Sequence, residues 1–359
     1  MSLKLGSTSI GSLYLGSTKI GEAYLGNVKV YGSTPDYNPM NLPPYTIRLK
    51  FNNSNTPSFS KGTSTRVSST PNVWDLTYQN TDWSSLCKGQ KSLVEVLGAN
   101  ASSVTNMTSL FQSCSALTSV SLFDTRTVTN MYRMFYYCSS LTTVPLFDTG
   151  NVTTMESMFN GCTALTSVPL LDTGNVTTMK TMFQSCSALT SVPLLDTSNV
   201  TEMFCMFQGC TSLTTVPLFD TGNVTSMGGM FRYCNALTSV PLFDIGNTSM
   251  ISMFQDCTSL TTVPLFDTSN VTSLNQMFDG CSALTSVPLF NTSSATSMSS
   301  MFYGCVSVQS GALALYQQAS SQAVPPTSHS YCFTNCGSNT VTGAAELAQI
   351  PSSWGGTGS

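Results

Sequence analysis

The sequence predicts an α/β repeat solenoid: an array of short parallel strands and helical turns, capped at both ends, with a small β module at its N-terminus. Three observations predict this fold class. A Met-Phe-x-x-Cys pattern recurs through the 359-residue chain with a period of 24, each period holds a strand-like and a helix-like spacing of apolar residues, and all three tryptophans lie outside the repeated region. Periods of about 20–50 residues are typical of stacked repeat proteins.

A column of cysteines marks the repeats. The spacing is 24 residues with one step of 23, and the members are Cys114, Cys138, Cys162, Cys186, Cys210, Cys234, Cys257, Cys281 and Cys305. One repeat alone has too little core to fold, so the nine repeats are expected to stack and bury a shared core. We expect these cysteines to form a buried ladder of free thiols, because free cysteine is among the most buried residue types.

Each repeat shows two periodicities in turn. In the unit 141–162, alternation over residues 143–147 predicts a short strand with Val144 and Leu146 inward and Phe147 outward. Residues 148–151 are turn formers. The apolar residues that follow have the spacing i, i+3, i+4, i+7, which predicts one face of two helical turns: Met155, Met158, Phe159 and Cys162.

The ends of the chain differ from the array. Trp74 and Trp83 precede it and Trp354 follows it, as expected of caps that seal the exposed core. Helices are predicted at 311–323 and 342–350, and Cys332–Cys336 repeats the Met-Phe-x-x-Cys pattern in degenerate form. Residues 1–34 carry a separate period of ten, which predicts short β segments that attach to another chain or copy. The predicted domains are the β module at 1–34, a linker and N-terminal cap at 35–92, the solenoid at 93–310, and a C-terminal cap with a degenerate repeat at 311–359.

The repeat motifs resemble a known family. The segments Cys162–Leu170 (CTALTSVPL) and Asn175–Phe183 (NVTTMKTMF) are similar to BspA-type leucine-rich repeats of the Asp-Thr-x-Asn-Val-Thr-x-Met variety, over residues 93–305. This resemblance implies a leucine-rich-repeat array of the kind found in bacterial and phage-encoded surface proteins. Residues 1–34 resemble N-terminal modules of tail-associated proteins of gut phages and prophages. A proline at each strand centre departs from the pattern and predicts short or irregular strands, because proline cannot donate to a ladder.

Few residues offer chemistry. The chain has one histidine and only 8% charged residues, whereas an ordinary soluble domain has about 25%. His329, Cys332 and Cys336 have ligand-like spacing, but a capping repeat is favoured over a zinc site because no fourth ligand is evident. We expect no catalytic residue, no metal site and no cofactor.

A column of acidic residues recurs at the turn after each strand. Its members are Asp124, Asp148, Asp172, Asp196, Asp220, Asp244 and Asp267, with Asn291 in the eighth place. An Asx turn, in which the side chain accepts a bond from a backbone N–H two residues on, is favoured. Calcium between stacked carboxylates is the alternative, and Asn291 speaks against it because it carries no charge.

Two sets of outward residues are candidates for a ligand surface. The first is an apolar column, for which partial burial at the sheet edge is the alternative: Phe123, Phe147, Phe219, Phe243, Phe266 and Phe290. The second lies on the outward side of the helical turns, where drift on a solvated face is the alternative: Tyr132, Arg133, Tyr136, Tyr137, Arg232 and Tyr233. Tyrosine and arginine are enriched in binding hot spots.

These observations favour a non-enzymatic recognition protein. The leading interpretation is a phage or prophage tail-associated protein of the virion, assembled in the host cytoplasm. Its array binds a host-surface protein or polysaccharide, its residues 1–34 contact other virion or tail proteins, and a homotrimer would suit such a fibre component. The alternative is a bacterial cell-surface leucine-rich-repeat adhesin. Net charge is −4, so neither a nucleic acid nor an anionic membrane is an expected partner.

Overall fold

The computed structural model describes residues 41–68, 70–245 and 249–358, together with the backbone of four strands near the N-terminus. Strand β1 (Leu13–Leu15) pairs with β2 (Thr18–Ile20), and β3 (Ala23–Leu25) pairs with β4 (Val28–Tyr31), each pair antiparallel. Each ten-residue repeat between residues 13 and 31 therefore contains one hairpin of short strands. The remainder of the predicted module 1–34 lies outside the described residues.

The N-terminal cap is a five-stranded sheet in the order β6-β7-β5-β8-β9. Its strands are β5 (Thr46–Phe51), β6 (Thr63–Arg66), β7 (Val73–Thr77), β8 (Leu93–Asn100) and β9 (Ser119–Val120). All pairs are antiparallel except β8 with β9, which is parallel and leads into the repeats. Trp74 and Trp83 are both buried.

The repeats stack through backbone hydrogen bonds. Every second N–H of the Met-x-x-Met-Phe-x-x-Cys segment donates to a carbonyl 23 residues later, as from Phe159 to Met182 at 2.9 Å. The intervening N–H groups donate to the carbonyl three residues earlier, as from Cys162 to Phe159 at 3.0 Å. The first such inter-repeat bond is from Trp83 to Asn106, so the stack begins ahead of the predicted boundary at residue 93.

The predicted helical turns are wrong. The segment is a succession of β-turns, and two residues in each repeat have positive φ, such as Ser157 at 56° and Gly161 at 76°. Because a right-handed helix cannot pass through such residues, no helix forms in the described residues between 81 and 310. The inward face is nevertheless correct, because successive turns that close bonds three residues back bury nearly the same positions as a helix does.

The short strand that the sequence predicts around each proline is also replaced, in this case by irregular backbone. Ahead of each proline, one threonine N–H donates to the previous repeat, as Thr166 N–H does to the carbonyl of Thr142 at 3.2 Å. After the proline the chain can turn back on itself, as where Phe147 N–H donates to the carbonyl of Pro145 at 2.9 Å. Proline has no N–H to continue a ladder. Parallel pairing between repeats occurs instead as single β-bridges just before each pair of methionines, such as the bridge between Thr154 and Thr178.

The C-terminal cap contains the two predicted helices, α1 (Ala312–Ser320) and α2 (Val341–Leu347). Between them, Cys332–Cys336 completes a further turn segment, since Phe302 N–H donates to the carbonyl of Cys332 at 2.8 Å. The ring of Phe333 continues the aromatic stack at 6.0 Å from Phe302. This degenerate repeat is covered by Trp354, which is also buried.

Two aromatic columns fill the core. One phenylalanine per repeat forms a continuous stack, with Phe159, Phe183 and Phe207 separated by 5.6 and 5.5 Å and nearly coplanar. A second column leans on the first, as Phe219 does on Phe207 at 6.1 Å. The stacking direction is also the direction of the inter-repeat hydrogen bonds.

We predict that Phe183→Ala lowers the free energy of unfolding by about 3–5 kcal/mol, because the fully buried ring leaves a cavity in the stack. Urea denaturation followed by circular dichroism measures the loss. Leu194→Ala is the matched control: its side chain is 60% exposed, and a change of less than about 0.5 kcal/mol is expected. Equal midpoints for the two variants would contradict the assignment of the core.

Candidate ligand-binding surface

The six candidate phenylalanines are not on a surface. They are at most 2% exposed, and in the later repeats the preceding leucine is exposed instead, as Leu218 is at 59% beside Phe219 at 2%. At Phe147, Phe266 and Phe290 the N–H bonds back to the carbonyl of the proline two residues earlier, and this tight turn departs from the alternation expected of a regular strand. The first part of the predicted ligand surface is therefore core, and the correction applies to Phe123, Phe147, Phe219, Phe243, Phe266 and Phe290.

The second set lies where the sequence placed it. We call the positions of the turn segments that lie between the core residues, 132–133 and 136–137 with their equivalents in each repeat, the variable face, although some of its smaller side chains are buried, as Ser157 and Asn160 are. Residue types on it change from repeat to repeat, from Tyr132 to Lys180 and Gly228 in one column. It carries large exposed apolar and aromatic side chains in six repeats: Tyr137, Phe204, Tyr233, Ile251, Tyr303 and Tyr331.

One end of the variable face holds a compact cluster of tyrosines around an arginine. The Arg133 guanidinium lies 4.8 Å from the ring centroid of Tyr132 and 5.0 Å from that of Tyr136. Tyr136 and Tyr137 meet edge to face at 4.4 Å. Burial, followed by the hydrogen bond to Tyr137, raises the pKa of Tyr136 above its ordinary value. Cation–π and aromatic contacts hold these side chains in place before any ligand arrives.

A glycine in the next repeat makes room for this cluster. A Cβ built on Gly161 would lie 2.2 Å from the Tyr137 ring, and Gly161 also has a φ of 76°. The ring therefore lies flat over the neighbouring backbone while 51% of Tyr137 stays exposed. This position favours glycine both for its backbone and for the space above it.

A second cluster lies four repeats further along, about 22 Å away by the steps of the aromatic stack. The Arg232 guanidinium lies 4.7 Å from the Tyr233 ring and donates to its hydroxyl at 2.9 Å. Asp256 and Asp279 lie near this arginine, and burial raises the pKa of both carboxyls while Arg232 opposes that rise. The structure therefore keeps the two predicted clusters on one face but apart from each other.

Sequence reasoning missed a ladder of amides between the clusters. Asn160 Nδ2 donates to Gln184 Oε1 at 2.7 Å, and Gln184 Nε2 donates to Gln208 Oε1 at 2.5 Å. Ser157 and Thr181 hydroxyls bond at 2.7 Å beside them. The sequence does contain a signal for this ladder, because polar residues recur at the same position of successive repeats. These bonds fix the orientation of amide groups along the middle of the variable face.

The cysteine ladder is buried, as predicted. From Cys138 onward each thiol donates to the carbonyl of the preceding repeat's aromatic-stack residue, as Cys186 Sγ does to Phe159 at 3.1 Å, whereas Cys114 donates to the carbonyl of Cys87. Burial raises the pKa of Cys114 to about 12. In the described part of the chain no three His, Cys, Asp or Glu side chains are placed to hold a metal ion. His329 stacks flat on Trp354, with ring centroids 4.1 Å apart, inside the C-terminal cap.

The aspartate column forms Asx turns. Oδ1 of Asp172 accepts the N–H of Gly174 at 3.1 Å, and Asp220 accepts that of Gly222 at the same distance. Asn291 makes the equivalent bond to Ser293 at 3.0 Å. The turn therefore needs a side-chain oxygen at this position and not a charge.

Stacked repeats with an inward apolar column and a changing outward face define a repeat protein. The family model described as "Mycoplasma protein of unknown function, DUF285" matches residues 57–170, 166–260 and 248–324, about three quarters of the chain. The chain belongs to this family. No curated protein matches it significantly. Among the described residues, no helix is long and apolar enough to cross a membrane.

Several bacterial leucine-rich repeat proteins of known structure are similar to this chain. The protein from T. pallidum is 21% identical, with 58% of this chain and 80% of that chain covered and a TM-score of 0.32. The protein from Eubacterium ventriosum is 20% identical, with 59% and 57% covered and a TM-score of 0.39. The protein from Bacteroides ovatus is 18% identical, with 68% and 84% covered and a TM-score of 0.30.

We predict that Asp220→Ala destabilises the protein by about 0.5–2 kcal/mol, because the N–H of Gly222 loses its acceptor at the turn. Asp220→Asn should be nearly neutral, since Asn291 caps its own turn in the same way. Thermal unfolding of the two variants measures the difference. A loss as large in the asparagine variant as in the alanine variant would show that the negative charge itself stabilises the turn.

Proposed function

We propose that this protein is a non-catalytic recognition protein at a bacterial cell surface, in which the stacked repeats form a solenoid scaffold and the variable face binds a protein or polysaccharide. One observation carries the proposal. In an array whose core, turn and cysteine columns repeat nearly unchanged, the residues of the variable face differ from repeat to repeat and include exposed aromatic rings.

The cluster around Arg133 supports a binding role. Tyrosine offers a large rigid contact area at little cost in side-chain entropy, and tyrosine and arginine are both enriched in binding hot spots. Here the cation–π contacts and the edge-to-face pair already restrain Tyr132, Arg133 and Tyr136. Tyr137 remains half exposed and available for a ligand.

A non-catalytic role is supported by the placement of the acidic groups. General acid–base hydrolysis needs an acid and a base within reach of one substrate. Four carboxylates of the aspartate column are already engaged by the N–H groups of their own turns: Asp172, Asp196, Asp220 and Asp267. We propose that these carboxylates stabilise the turns of the array.

The family match favours a cell-borne protein over a phage tail protein. Its description names Mycoplasma, which is a cellular bacterium. The tail interpretation depends on residues 1–34, most of which lie outside the described residues. Mass spectrometry of the source strain tests the choice: recovery from the cell envelope supports the proposal, and recovery from purified phage particles would restore the tail interpretation.

We predict that Tyr136→Ala combined with Tyr137→Ala weakens attachment by at least about tenfold, since truncation of a hot-spot residue costs about 2 kcal/mol or more. Flow cytometry of fluorescently labelled protein on intact bacterial and animal cells, together with a glycan array, measures attachment. Thr215→Ala is the matched control, because Thr215 is exposed and lies outside the variable face. Unaltered attachment of a correctly folded double variant would remove the variable face as the binding surface.

A further inference from the structure

A second surface of the array is apolar and unusually regular. The outward leucines, one per repeat, form what we call the leucine ridge, and their exposed fractions are 40–60%: Leu170, Leu194, Leu218, Leu242, Leu265 and Leu289. Together they expose the equivalent of about three whole leucines. This is on the order of 300 Å² of apolar side chain, from the transfer free energy of leucine and about 25 cal/mol per Å². An apolar strip of about 300 Å² is comparable to the largest patch on a typical monomer, and such patches are often functional.

Hollows separate successive leucines of the ridge. Four of them, at consecutive repeats, have volumes of 270–340 Å³. The hollow between Leu194 and Leu218 is also lined by Asp196 and Asp220. Three of the hollows are lined by two aspartates, and in the last one Asn291 stands in place of the second. Each hollow therefore joins two apolar walls to an acidic rim.

The aspartates beside the ridge accept hydrogen bonds within their own turns. The bonds that Asp172 and Asp220 accept come from backbone N–H groups, which bring no positive charge with them. Hydrogen bonds from Ser198 lower the pKa of Asp196, so this carboxyl stays ionised at neutral pH. At the N-terminal end of the column, Asp124 is instead paired with Arg126 at 2.8 Å. The carboxylates of Asp196 and Asp220 thus lie together at the rim of one hollow of the ridge.

We propose that the leucine ridge docks an amphipathic α-helix of a partner protein that carries lysine or arginine on the stripe facing the hollows. A long basic side chain lays its apolar stem along hydrophobic surface and keeps its charged head at a polar site. A hollow with leucine walls and two carboxylates at the rim matches both halves of such a side chain. Apolar residues beside the basic stripe would cover the leucines themselves.

The spacing of the hollows selects a helix over an extended strand. Repeats follow one another at 5.4–5.7 Å in the aromatic stack beneath the ridge. An α-helix advances about 5.4 Å per turn, so residues at i, i+4, i+7 and i+11 would meet successive hollows. Alternate residues of a strand advance about 6.7 Å and would fall out of register by about 1 Å per repeat.

Charge disfavours the other occupants. A second copy of this chain would bring its own aspartate column against the first, and an anionic membrane would be repelled by it. The proposal does not depend on the variable face, because none of the residues lining the hollows belongs to it.

The test uses the full chain and a fluorescein-labelled synthetic helical peptide of about 20 residues, with lysines at i, i+4, i+7 and i+11 flanked by leucines. Fluorescence anisotropy measures its dissociation constant. A second peptide of equal composition, with lysines at alternate positions, tests the helical spacing. We expect the first peptide to bind more tightly than the second, and more weakly as salt rises, because exposed charge pairs are screened.

Two pairs of variants test the surface. Asp196→Asn with Asp220→Asn removes two charges while keeping the turn bonds, and should weaken binding about threefold to tenfold. Leu218→Ser with Leu242→Ser removes two walls and should weaken it about tenfold or more. Asp82→Asn is the control for the first pair, because Asp82 caps Ser84 at 2.8 Å in the same way but lies outside the ridge. Val324→Ser, at a side chain 77% exposed elsewhere, is the control for the second.

Several outcomes would overturn the proposal. These are equal affinity for the two peptides, affinity unchanged in both ridge variants, or losses of the same size in Asp82→Asn and Val324→Ser. Sedimentation velocity that shows a dimer abolished by Leu218→Ser with Leu242→Ser would assign the ridge to a second copy. Ridge-dependent flotation with vesicles of phosphatidylglycerol would assign it to a membrane. Attachment through the variable face is read separately, so either proposal can fail without the other.

Discussion

The stacking of one buried phenylalanine per repeat sets the spacing on which the rest of the array depends. Neighbouring rings from Phe135 to Phe302 lie 5.2–5.7 Å apart and nearly parallel. The backbone N–H groups beside each ring donate to the next repeat over the same step, and the cysteine thiols bond the carbonyls that face the core. Every outward column inherits this step, so the regular hollows of the leucine ridge follow from the packing inside.

The sequence predicts which residues of the turn segment are buried but not the path of the backbone between them. Met155, Met158, Phe159 and Cys162 are all inward, as their spacing indicates. A helix and a succession of turns bury these same positions, and they differ only in where the N–H groups donate. That partner lies 23 residues away in the next repeat, which no local pattern reveals. The positive φ of Ser157 has no signal in its residue type, whereas Gly161 gives only a weak one.

The same limit explains the errors and the successes in the candidate surface. Leu218 and Phe219 are adjacent apolar residues, and their residue types do not show which of them faces the core. The outward tyrosines were predictable because they lie between the positions that the i, i+3, i+4, i+7 spacing assigns to the core. The amide ladder through Gln184 was missed because each of its bonds joins two repeats. Contacts between repeats depend on stacking geometry, which sequence spacing alone does not supply.

The repeat that is one residue short shows how firmly the ridge is tied to the core. Phe231 and Phe254 still stack at 5.6 Å, and Cys257 still donates to the carbonyl of Phe231 at 3.1 Å. Ile245 fills the buried position that threonine holds in other repeats, and the hollow between Leu242 and Leu265 persists at 340 Å³. A side chain of the variable face, by contrast, can change without disturbing that stack. A partner of the ridge would therefore recognise the period of the array, whereas a partner of the variable face would recognise the residues of particular repeats.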